Sequence, residues 1–210
     1  MKHKGILVVV SGFSGAGKGT LMKELVHRYQ NYALSVSMTT RNPRAGEREG
    51  IEYFFTSKQE FEQKIQANEL VEYASYCDNY YGTPKEYVEE QLKDGKDVIL
   101  EIEIQGALKI KKQFPTALLL FVMPPNMAEL KKRLEGRGTE SAEVIDKRLH
   151  RAWEEARGIE QYDYIVINDS IKECAEKMHS IITAAHCVPA RNEEFIKKIN
   201  EELQELVTDR

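Results

Sequence analysis

The sequence predicts an α/β protein built on a doubly wound parallel sheet, and two observations lead to this prediction. Four apolar runs are nearly continuous rather than alternating, which is typical of parallel strands covered on both faces: 6–10, 98–102, 118–123 and 164–167. Helical patterns lie between these runs, and strands that alternate with helices indicate βαβ units. The 210 residues suit one structural unit with insertions rather than two independent domains.

The composition argues against several broad classes of function. A net charge of −4 argues against a general binder of nucleic acid or of anionic membranes. No apolar stretch approaches the roughly 20 residues needed to span a bilayer, and the run at 6–10 predicts a buried strand rather than a signal peptide. Cys77, Cys174 and Cys187 are odd in number and lack paired metal-ligand spacing, so we expect reduced thiols in a cytoplasmic protein.

Residues 12–20, GFSGAGKGT, connect the first apolar run to the first helical pattern. Gly12, Gly17 and Lys18 match the spacing G-x-x-x-x-G-K in the strand-to-helix context that this motif requires. Glycines let backbone N–H groups converge on phosphate oxygens, the helix N-terminus adds positive charge, and Lys18 reaches the terminal phosphates. The sequence therefore predicts a nucleotide-binding P-loop and a P-loop NTPase-type core. The residues assigned to the loop are Ser14, Gly15, Ala16, Gly17, Lys18, Gly19 and Thr20.

Gly19 departs from the usual loop, in which a hydroxyl residue follows the lysine. The first hydroxyl is instead that of Thr20. A magnesium ion would have Thr20 as a ligand, or only water and nucleotide phosphates, and the residues leave both alternatives open. The variant G-K-G-T resembles the loop of nucleoside monophosphate kinases, which pass a phosphoryl group between two nucleotides.

The segment 37–88 interrupts the alternation of strands and helices. It is rich in Tyr, Thr, Ser and Arg with short alternating runs, and it predicts a small β-rich insertion. Arg41 and Arg44 lie three residues apart around a proline, so their two guanidinium groups are suited to clamp one phosphate group. Tyr53 and Tyr81 either add hydroxyl donors to that anion or serve only in packing.

The segment 126–158 is helical and strongly charged. Arg133 and Arg137 are four residues apart on one helical face, and Arg148 lies on the next helix. Arginines on a polar helix usually form a solvated face, which is the simpler interpretation of each one alone. Phosphoryl transfer, however, needs positive charge on the transferring oxygens, and this segment is a source of it.

Seven blocks, in order over about residues 6–185, closely resemble the guanylate kinase family. They are GFSGAGKGT, SVSMTTRNPRAGE, EYFF, NELVEYASYCDNYYGT, LEIEIQGA, RLEGRGTES and VIND. The resemblance implies transfer of the γ-phosphoryl group of ATP to GMP, with dGMP as a second acceptor, and Mg²⁺ bound with ATP. It implies a cytoplasmic enzyme of purine nucleotide metabolism and GMP recycling, either a monomer or a homodimer.

The same resemblance assigns the acceptor nucleotide to the β-rich insertion. A carboxylate at Glu72 would accept from guanine N1–H and N2–H, and the hydroxyl of Thr83 would donate to O6, a pattern that adenine does not match. At Glu103 the family often has aspartate, and the longer side chain would contact the acceptor or a magnesium-bound water. The GMP-binding set implied by the resemblance is Ser37, Arg41, Arg44, Tyr53, Glu72, Tyr81, Gly82, Thr83 and Glu103.

The resemblance also makes 126–158 a lid that closes over ATP. Beyond the P-loop, the implied ATP-binding residues are Arg133, Arg137 and Asn168. The next residue, Asp169, resembles the same segment, but capping of the following helix is an equally good interpretation of it. The implied catalytic set is Lys18, Arg44, Arg137 and Arg148, with Thr20 as the candidate magnesium ligand. Arg151 and Arg157 keep the interpretation of a solvated face. Phe13, where proline is common, is expected to alter the rigidity of the loop rather than its chemistry.

The chain is therefore divided into 1–36 (core with the P-loop), 37–88 (GMP-binding insertion), 89–125 (core), 126–158 (lid) and 159–210 (core and C-terminal helix). We expect the insertion and the lid to move against the core when nucleotides bind. The apolar face of 192–207 predicts a final helix packed on the core, with a dimer contact as the alternative. Two other functions remain open: a kinase for AMP or a pyrimidine nucleotide, and a catalytically silent guanylate-kinase-like binding module.

Overall fold

The computed structural model describes residues 4–76, 78–136 and 142–208. The strands are β1 (Leu7–Gly12), β2 (Tyr32–Leu34), β3 (Met38–Thr39), β4 (Phe54–Phe55), β5 (Leu70–Tyr76), β6 (Asn79–Pro84), β7 (Asp97–Glu101), β8 (Leu118–Met123) and β9 (Tyr164–Ile167). The helices are α1 (Lys18–Arg28), α2 (Lys58–Gln66), α3 (Lys85–Lys93), α4 (Ile104–Gln113), α5 (Met127–Glu135), α6 (Ala142–Ala156), α7 (Ile171–Ala185) and α8 (Glu193–Thr208). Two short 3₁₀ turns, Ile159–Gln161 and Pro189–Arg191, precede β9 and α8.

Five parallel strands form the large sheet in the order β2-β7-β1-β8-β9. Four of them, β1, β7, β8 and β9, are the apolar runs that the sequence predicts as strands. The fifth, β2, is not predicted, because its three residues are too few to show a period. The carboxyl ends of β1, β7 and β8 meet at one edge, which is where α/β sheets bind their ligands.

Apolar clusters cover both faces of the large sheet, as a doubly wound fold requires. Val8 and Val10 of β1 pack on one face with residues of α1 and α7. Leu7 and Val9 pack on the other face with residues of α3 and α4. This alternation along a strand that is buried on both sides explains why its sequence is apolar without interruption.

A second sheet of four short strands lies between residues 38 and 84, in the order β4-β3-β6-β5. β6 pairs antiparallel with β3 and β5, and Met38, Phe61 and Leu70 form a small separate core. α3 then returns to the large sheet, where Val88 is buried. The boundary at 88 stays a prediction, and it falls inside α3.

α5 and α6 lie in the segment that the sequence predicts as a lid. The side chain of Asn126 caps α5 by accepting a hydrogen bond from the N–H of Glu129 at 2.8 Å. Leu130 and Leu134 of α5 are buried in the main core. Residues 137–141, and therefore the predicted catalytic Arg137, lie outside the described residues.

α8 does not pack as expected. The prediction that its apolar face covers the core is wrong, because none of its residues is buried. α8 contacts the 3₁₀ turn that precedes it. Within the described ranges, no helix combines the length and apolar character needed to cross a membrane.

Candidate active site

The loop after β1 owes its shape to two glycines. Gly15 and Gly17 have φ values of 91° and 86°, in the left-handed region that favours glycine. A Cβ at Gly15 would stand 2.8 Å from Cδ2 of Leu134, and one at Gly17 would stand 2.6 Å from Nδ2 of Asn168. α1 begins directly after Gly17, so the unpaired N–H groups of its first turn face the loop. The result is an anion-binding turn at a helix N-terminus.

Lys18 is the first residue of α1 and its side chain crosses back over the loop. Its Nζ donates to the carbonyl oxygens of Gly12 at 2.8 Å and of Phe13 at 3.3 Å. These contacts hold the ammonium group over the loop, where the phosphates of a nucleotide would lie.

Two buried contacts anchor the loop to the core. Phe13 is 2% exposed and packs edge-to-face on Phe121, with ring centroids 5.2 Å apart. Asn168 is also buried, and its Nδ2 donates to the carbonyl oxygen of Ala16 at 2.8 Å. The predicted effect of Phe13 on loop rigidity thus has a basis in packing. Asn168, predicted to bind ATP, has its amide engaged with the loop itself.

A donor cavity of about 370 Å³ opens between the P-loop and α6. Gly12, Ser14 and Lys18 line it from the loop, and Arg148 and Arg151 line it from α6. Nη1 of Arg148 donates to Oγ of Ser14 at 3.4 Å. The structure therefore brings two of the predicted catalytic residues, Lys18 and Arg148, to one cavity.

Arg151 is a residue of the donor cavity that the sequence interpretation missed. Its side chain is 54% exposed, as the solvated-face interpretation expects, and its guanidinium also forms ion pairs with Glu103 and, at 3.2 Å, with Glu155. Glu103 raises the pKa of Arg151, and burial raises the pKa of Glu155. The available signal was helical spacing, since Arg148, Arg151 and Glu155 are three and four residues apart on one face. This bridge joins α6 to the segment that follows β7.

An acceptor cavity of about 570 Å³ lies between the small sheet and α4. Ser37, Glu72 and Tyr81 line it from the small-sheet side, and residues 101–103 line it from the end of β7. Residues 101–103 also line the donor cavity. The two cavities thus share one wall at the carboxyl end of β7.

Glu72 and Thr83 are direct partners across β5 and β6. Thr83 is buried, and its Oγ1 donates to Oε1 of Glu72 at 2.8 Å. Burial raises the pKa of Glu72, and the hydrogen bond from Thr83 acts in the opposite direction. A Cβ at Gly82 would stand 2.8 Å from the carbonyl oxygen of Glu72, so this register needs a glycine. The acceptor cavity therefore contains the carboxylate of Glu72, which is already hydrogen-bonded to the hydroxyl group of Thr83.

Arg41 lies among aromatic and acidic groups at the edge of the small sheet. Its guanidinium carbon is 5.3 Å from the centroid of the Tyr53 ring, and the rings of Tyr53 and Tyr81 are 6.1 Å apart. Glu47 accepts hydrogen bonds from the Arg41 guanidinium at 2.9 Å and from the backbone N–H of Arg44 at 2.7 Å. Arg41, followed by the N–H of Arg44, lowers the pKa of Glu47.

Glu47 is a second residue that the sequence interpretation missed. Its carboxylate accepts from two donors of the 41–47 loop, the Arg41 guanidinium and the Arg44 backbone N–H. The signal was present in the block RNPRAGE, where Glu47 follows the two arginines. Arg44 contributes its backbone N–H to this site, and its side chain is exposed.

Two further predicted residues lie apart from both cavities. Arg133 on α5 donates to Glu129 at 2.9 Å and to the carbonyl oxygen of Asn168 at 3.0 Å. It therefore connects α5 to Asn168, whose side chain holds the P-loop. Thr20 is exposed on the first turn of α1. Among the residues that the structure describes, no cluster of three or more His, Cys, Asp or Glu could hold a metal ion. Oε2 of Glu101 lies 4.0 Å from where a Cβ of Gly19 would stand, which brings a hard oxygen ligand close to the loop.

A P-loop on a doubly wound sheet, facing a second polar cavity across one strand end, defines a P-loop phosphotransferase. The sequence model of the family described as Guanylate kinase matches residues 4–185. The guanylate kinase of Caldanaerobacter subterraneus is 48% identical over 202 residues, which cover 96% of this chain and 98% of that protein. The guanylate kinase of Desulfitobacterium hafniense is 50% identical over 186 residues, covering 89% and 93%.

A solved structure agrees with these sequence relatives. The guanylate kinase from Anaplasma phagocytophilum matches with a TM-score of 0.69 and 32% identity over 90% of both chains. The chain belongs to the guanylate kinase family. The predicted family, α/β P-loop fold and guanylate kinase activity are thereby confirmed.

Proposed function

We propose that this chain transfers the γ-phosphoryl group of ATP to GMP, with dGMP as a second acceptor, giving ADP and the guanosine diphosphate. The observation that supports this geometry most directly is the wall shared by the two cavities at residues 101–103. Because residues 101–103 line both cavities, a phosphoryl group bound in one cavity lies next to an acceptor bound in the other. Positioning of this kind supplies much of the catalysis of phosphoryl transfer.

On the donor side, the P-loop N–H groups from Ser14 to Thr20 bind the phosphates of ATP. Lys18 exchanges its two loop carbonyl acceptors for phosphate oxygens, which carry full negative charge. Arg148 is held at the cavity by Ser14 and places positive charge on the transferring group. Arg137 joins it by resemblance to the family, and Arg133 supports the lid through Asn168.

On the acceptor side, the phosphate of GMP takes the place of the Glu47 carboxylate against Arg41. The two anions present similar oxygen acceptors to the same guanidinium, so the internal contact is a guide to the external one. Further donors to this phosphate are Ser37, Arg44, Tyr53 and Tyr81. The base enters the acceptor cavity, where Glu72 accepts from N1–H and N2–H. Thr83 has a single hydroxyl proton, which it turns from Glu72 to O6 when the base binds.

A magnesium ion bound with ATP would neutralise charge on the phosphate oxygens. The residues at the shared wall fit such an ion, because Glu101 and Glu103 present the carboxylate oxygens that magnesium prefers. Thr20 remains a candidate ligand from α1. Since the described residues contain no complete set of protein ligands, we assign most of the coordination to phosphate and water.

We assign the lid role to 126–158 and the moving acceptor role to 37–88, in a cytoplasmic enzyme. In the free enzyme, Arg151 pairs with Glu155 on the same helix and joins α6 to Glu103 in the segment after β7. When the lid closes on ATP, Arg151 exchanges Glu103 for phosphate oxygens and acts beside Arg148. Closure then excludes water, which would otherwise accept the phosphoryl group.

An acceptor panel tests the proposed activity. Release of ADP is measured with GMP, dGMP, AMP, UMP and CMP, and we expect kcat/KM for the last three to be at least about 100-fold below that for GMP. Equal rates with AMP would contradict the guanine assignment. Lys18→Ala should abolish turnover, whereas Lys23→Ala, an exposed lysine on the same helix, should not. A binding module without catalysis would instead show no ADP release with any acceptor.

A further inference from the structure

A third cavity, the distal cavity, has a volume of about 440 Å³ and lies away from the P-loop. Its walls come from the start of β1, from α3, and from the residues that precede β8 and follow α7. It therefore lies toward the amino ends of the strands whose carboxyl ends form the nucleotide cavities. Among its described lining residues, none also lines the donor cavity, and Val71 alone is shared with the acceptor cavity. The distal cavity is thus separate from the proposed site of phosphoryl transfer.

The charged side chains around the distal cavity are mostly positive. In the part of the chain that the structure describes, four cations and one carboxylate, that of Glu89, line it. The donor cavity, which we assign to ATP, has three cations and three carboxylates, and the chain as a whole has a net charge of −4. A positive cavity on a negative chain is a local site of attraction for anions. Its four cations are Lys4, Lys85, Lys93 and Arg191.

A buried carboxylate beside this cavity is engaged within the fold. Asp97 is 2% exposed and accepts hydrogen bonds from the N–H of Ile6 at 2.8 Å and from Nδ2 of Asn31 at 3.2 Å. It also forms a hydrogen bond of 2.9 Å with Nε2 of His186, which lines the cavity. The oxygens of Asp97 are therefore used by the backbone and by neutral or imidazole donors, rather than by the four cations.

Three of the four cations keep donor capacity that the described fold does not use. Within the described ranges, the ammonium groups of Lys4 and Lys93 have no ion-pair or hydrogen-bond partner. Arg191 donates from Nη2 to the carbonyl oxygen of Thr116, while its Nε is buried without a hydrogen bond to any described residue. Burial lowers the pKa of Arg191, and nearby carboxylates act in the opposite direction. An anion in the distal cavity would supply both the missing acceptors and a compensating charge.

Large apolar side chains form much of the remaining lining of the distal cavity. An inorganic anion alone would leave this surface in contact with water, whereas a ligand with an apolar body would cover it. The volume of about 440 Å³ falls within the range of about 300–1,000 Å³ that is usual for small-molecule sites. The apolar residues are Ile6, Leu7, Val71, Val88, Leu92 and Phe114.

We propose that the distal cavity binds a small organic anion, which has a compact apolar body and a phosphate or carboxylate group. The apolar body covers the aliphatic side chains and Phe114, and the anionic group pairs with the cations around them. A suitable probe is 1-naphthyl phosphate, whose bicyclic ring and phosphate represent the two parts. For a ligand of about 15 non-hydrogen atoms, we expect a dissociation constant of about 0.5 mM.

An NMR titration of the full chain, with labelled Ile, Leu and Val methyl groups, tests where the probe binds. Saturating GMP and ADP are present, a pair that occupies both nucleotide cavities and has no γ-phosphoryl group to transfer. We expect 1-naphthyl phosphate to shift the methyl signals of Leu7, Val88 and Leu92. Shifts confined to Ile102 and Ile104, which line the donor cavity, or no shifts up to about 10 mM probe, would overturn the proposal.

The same titration tests the two parts of the ligand and the role of the cations. Inorganic phosphate and 1-naphthol, which each lack one part, should bind at least about tenfold more weakly than 1-naphthyl phosphate. Lys93→Glu should weaken binding of the probe about tenfold, and Lys112→Glu, at an exposed lysine that lines none of these cavities, should leave it unchanged. Both lysines are exposed, and an otherwise unchanged methyl spectrum shows that each variant is folded. Equal affinity for 1-naphthol, or unchanged affinity in Lys93→Glu, would refute binding of the anion by these cations.

Discussion

Replacing Glu72 by glutamine tests guanine recognition with a minimal change of shape. Glutamine has the same length, and its Oε1 can still accept the 2.8 Å hydrogen bond from Thr83, so the β5–β6 contact survives. What changes is the second terminal atom, which becomes an NH₂ donor instead of an acceptor. A guanine that offers N1–H and N2–H then loses one acceptor and meets a donor in its place.

The loss can be worked out from these contacts. A hydrogen bond to a charged group contributes about 1.5–3 kcal/mol, and a buried donor left without an acceptor costs about 1–3 kcal/mol. The two effects together amount to about 4 kcal/mol at the middle of these ranges. Since about 1.4 kcal/mol is a factor of ten in rate, kcat/KM for GMP should fall about 10³-fold.

The decisive assay compares GMP with IMP, which lacks the N2 amino group. The unmodified chain should prefer GMP by about 10- to 100-fold in kcat/KM, which is the value of one hydrogen bond to the carboxylate. In Glu72→Gln this ratio should approach one, because the added donor opposes the N2 amino group and IMP has none. ADP release at saturating ATP measures both values. A GMP-to-IMP ratio that the substitution leaves unchanged would refute base recognition by Glu72.

Three other outcomes follow from the same structure. Burial raises the pKa of Glu72 in the folded protein. The contribution of this carboxyl group to the free energy of unfolding is therefore fully present only below its unfolded pKa of about 4.3. That contribution is lost as the pH rises through the folded pKa. Glu72→Gln should therefore raise Tm at pH 7 and have little effect on Tm below about pH 4, and a gap that persists in acid would contradict this. Arg151→Ala should raise KM for ATP about tenfold, because a charged contact to the nucleotide is lost. Arg157 is stacked on the exposed Trp153, and Arg157→Ala should leave this KM unchanged. Equal effects of the two substitutions on KM would show that Arg151 does not belong to the donor site. Phe13→Ala should lower the free energy of unfolding by about 3–5 kcal/mol in a urea titration, and a loss under about 1 kcal/mol would show that this ring does not anchor the loop.

The large sheet and the P-loop could be predicted because their signals are local. A strand buried on both faces must be apolar at nearly every position, and β1 and β8 show this directly. β9, at the edge of the sheet, is equally apolar although only Val166 is buried. Gly15 and Gly17 stand where the left-handed backbone and the crowding of Leu134 and Asn168 leave no room for a side chain. These requirements fall on a few consecutive residues, so they can be recognised in the sequence.

The remaining features depend on distant partners. β2 is recognisable as a strand only through its pairing with β7, which lies more than 60 residues away. Arg151 could not be told from a solvated arginine, because Glu103 comes from the segment after β7 rather than from the same helix. α8 has an apolar pattern that suits a core-facing helix, yet none of its residues is buried. An amphipathic pattern states that a helix has an apolar side, but not which surface that side meets.

The carboxylate of Glu47 makes the 41–47 loop a receptor with a tethered competitor. Because the chain holds Glu47 beside Arg41, a free anion must displace a group present at a high effective concentration. Inorganic phosphate brings no base and has only its own charge with which to compete. A nucleotide also gains the contacts at Glu72 and Thr83, which offset the cost of expelling the carboxylate. Under the proposed assignment of this loop to the GMP phosphate, the Glu47 carboxylate would disfavour small anions relative to the nucleotide and would compete with the product phosphate for Arg41.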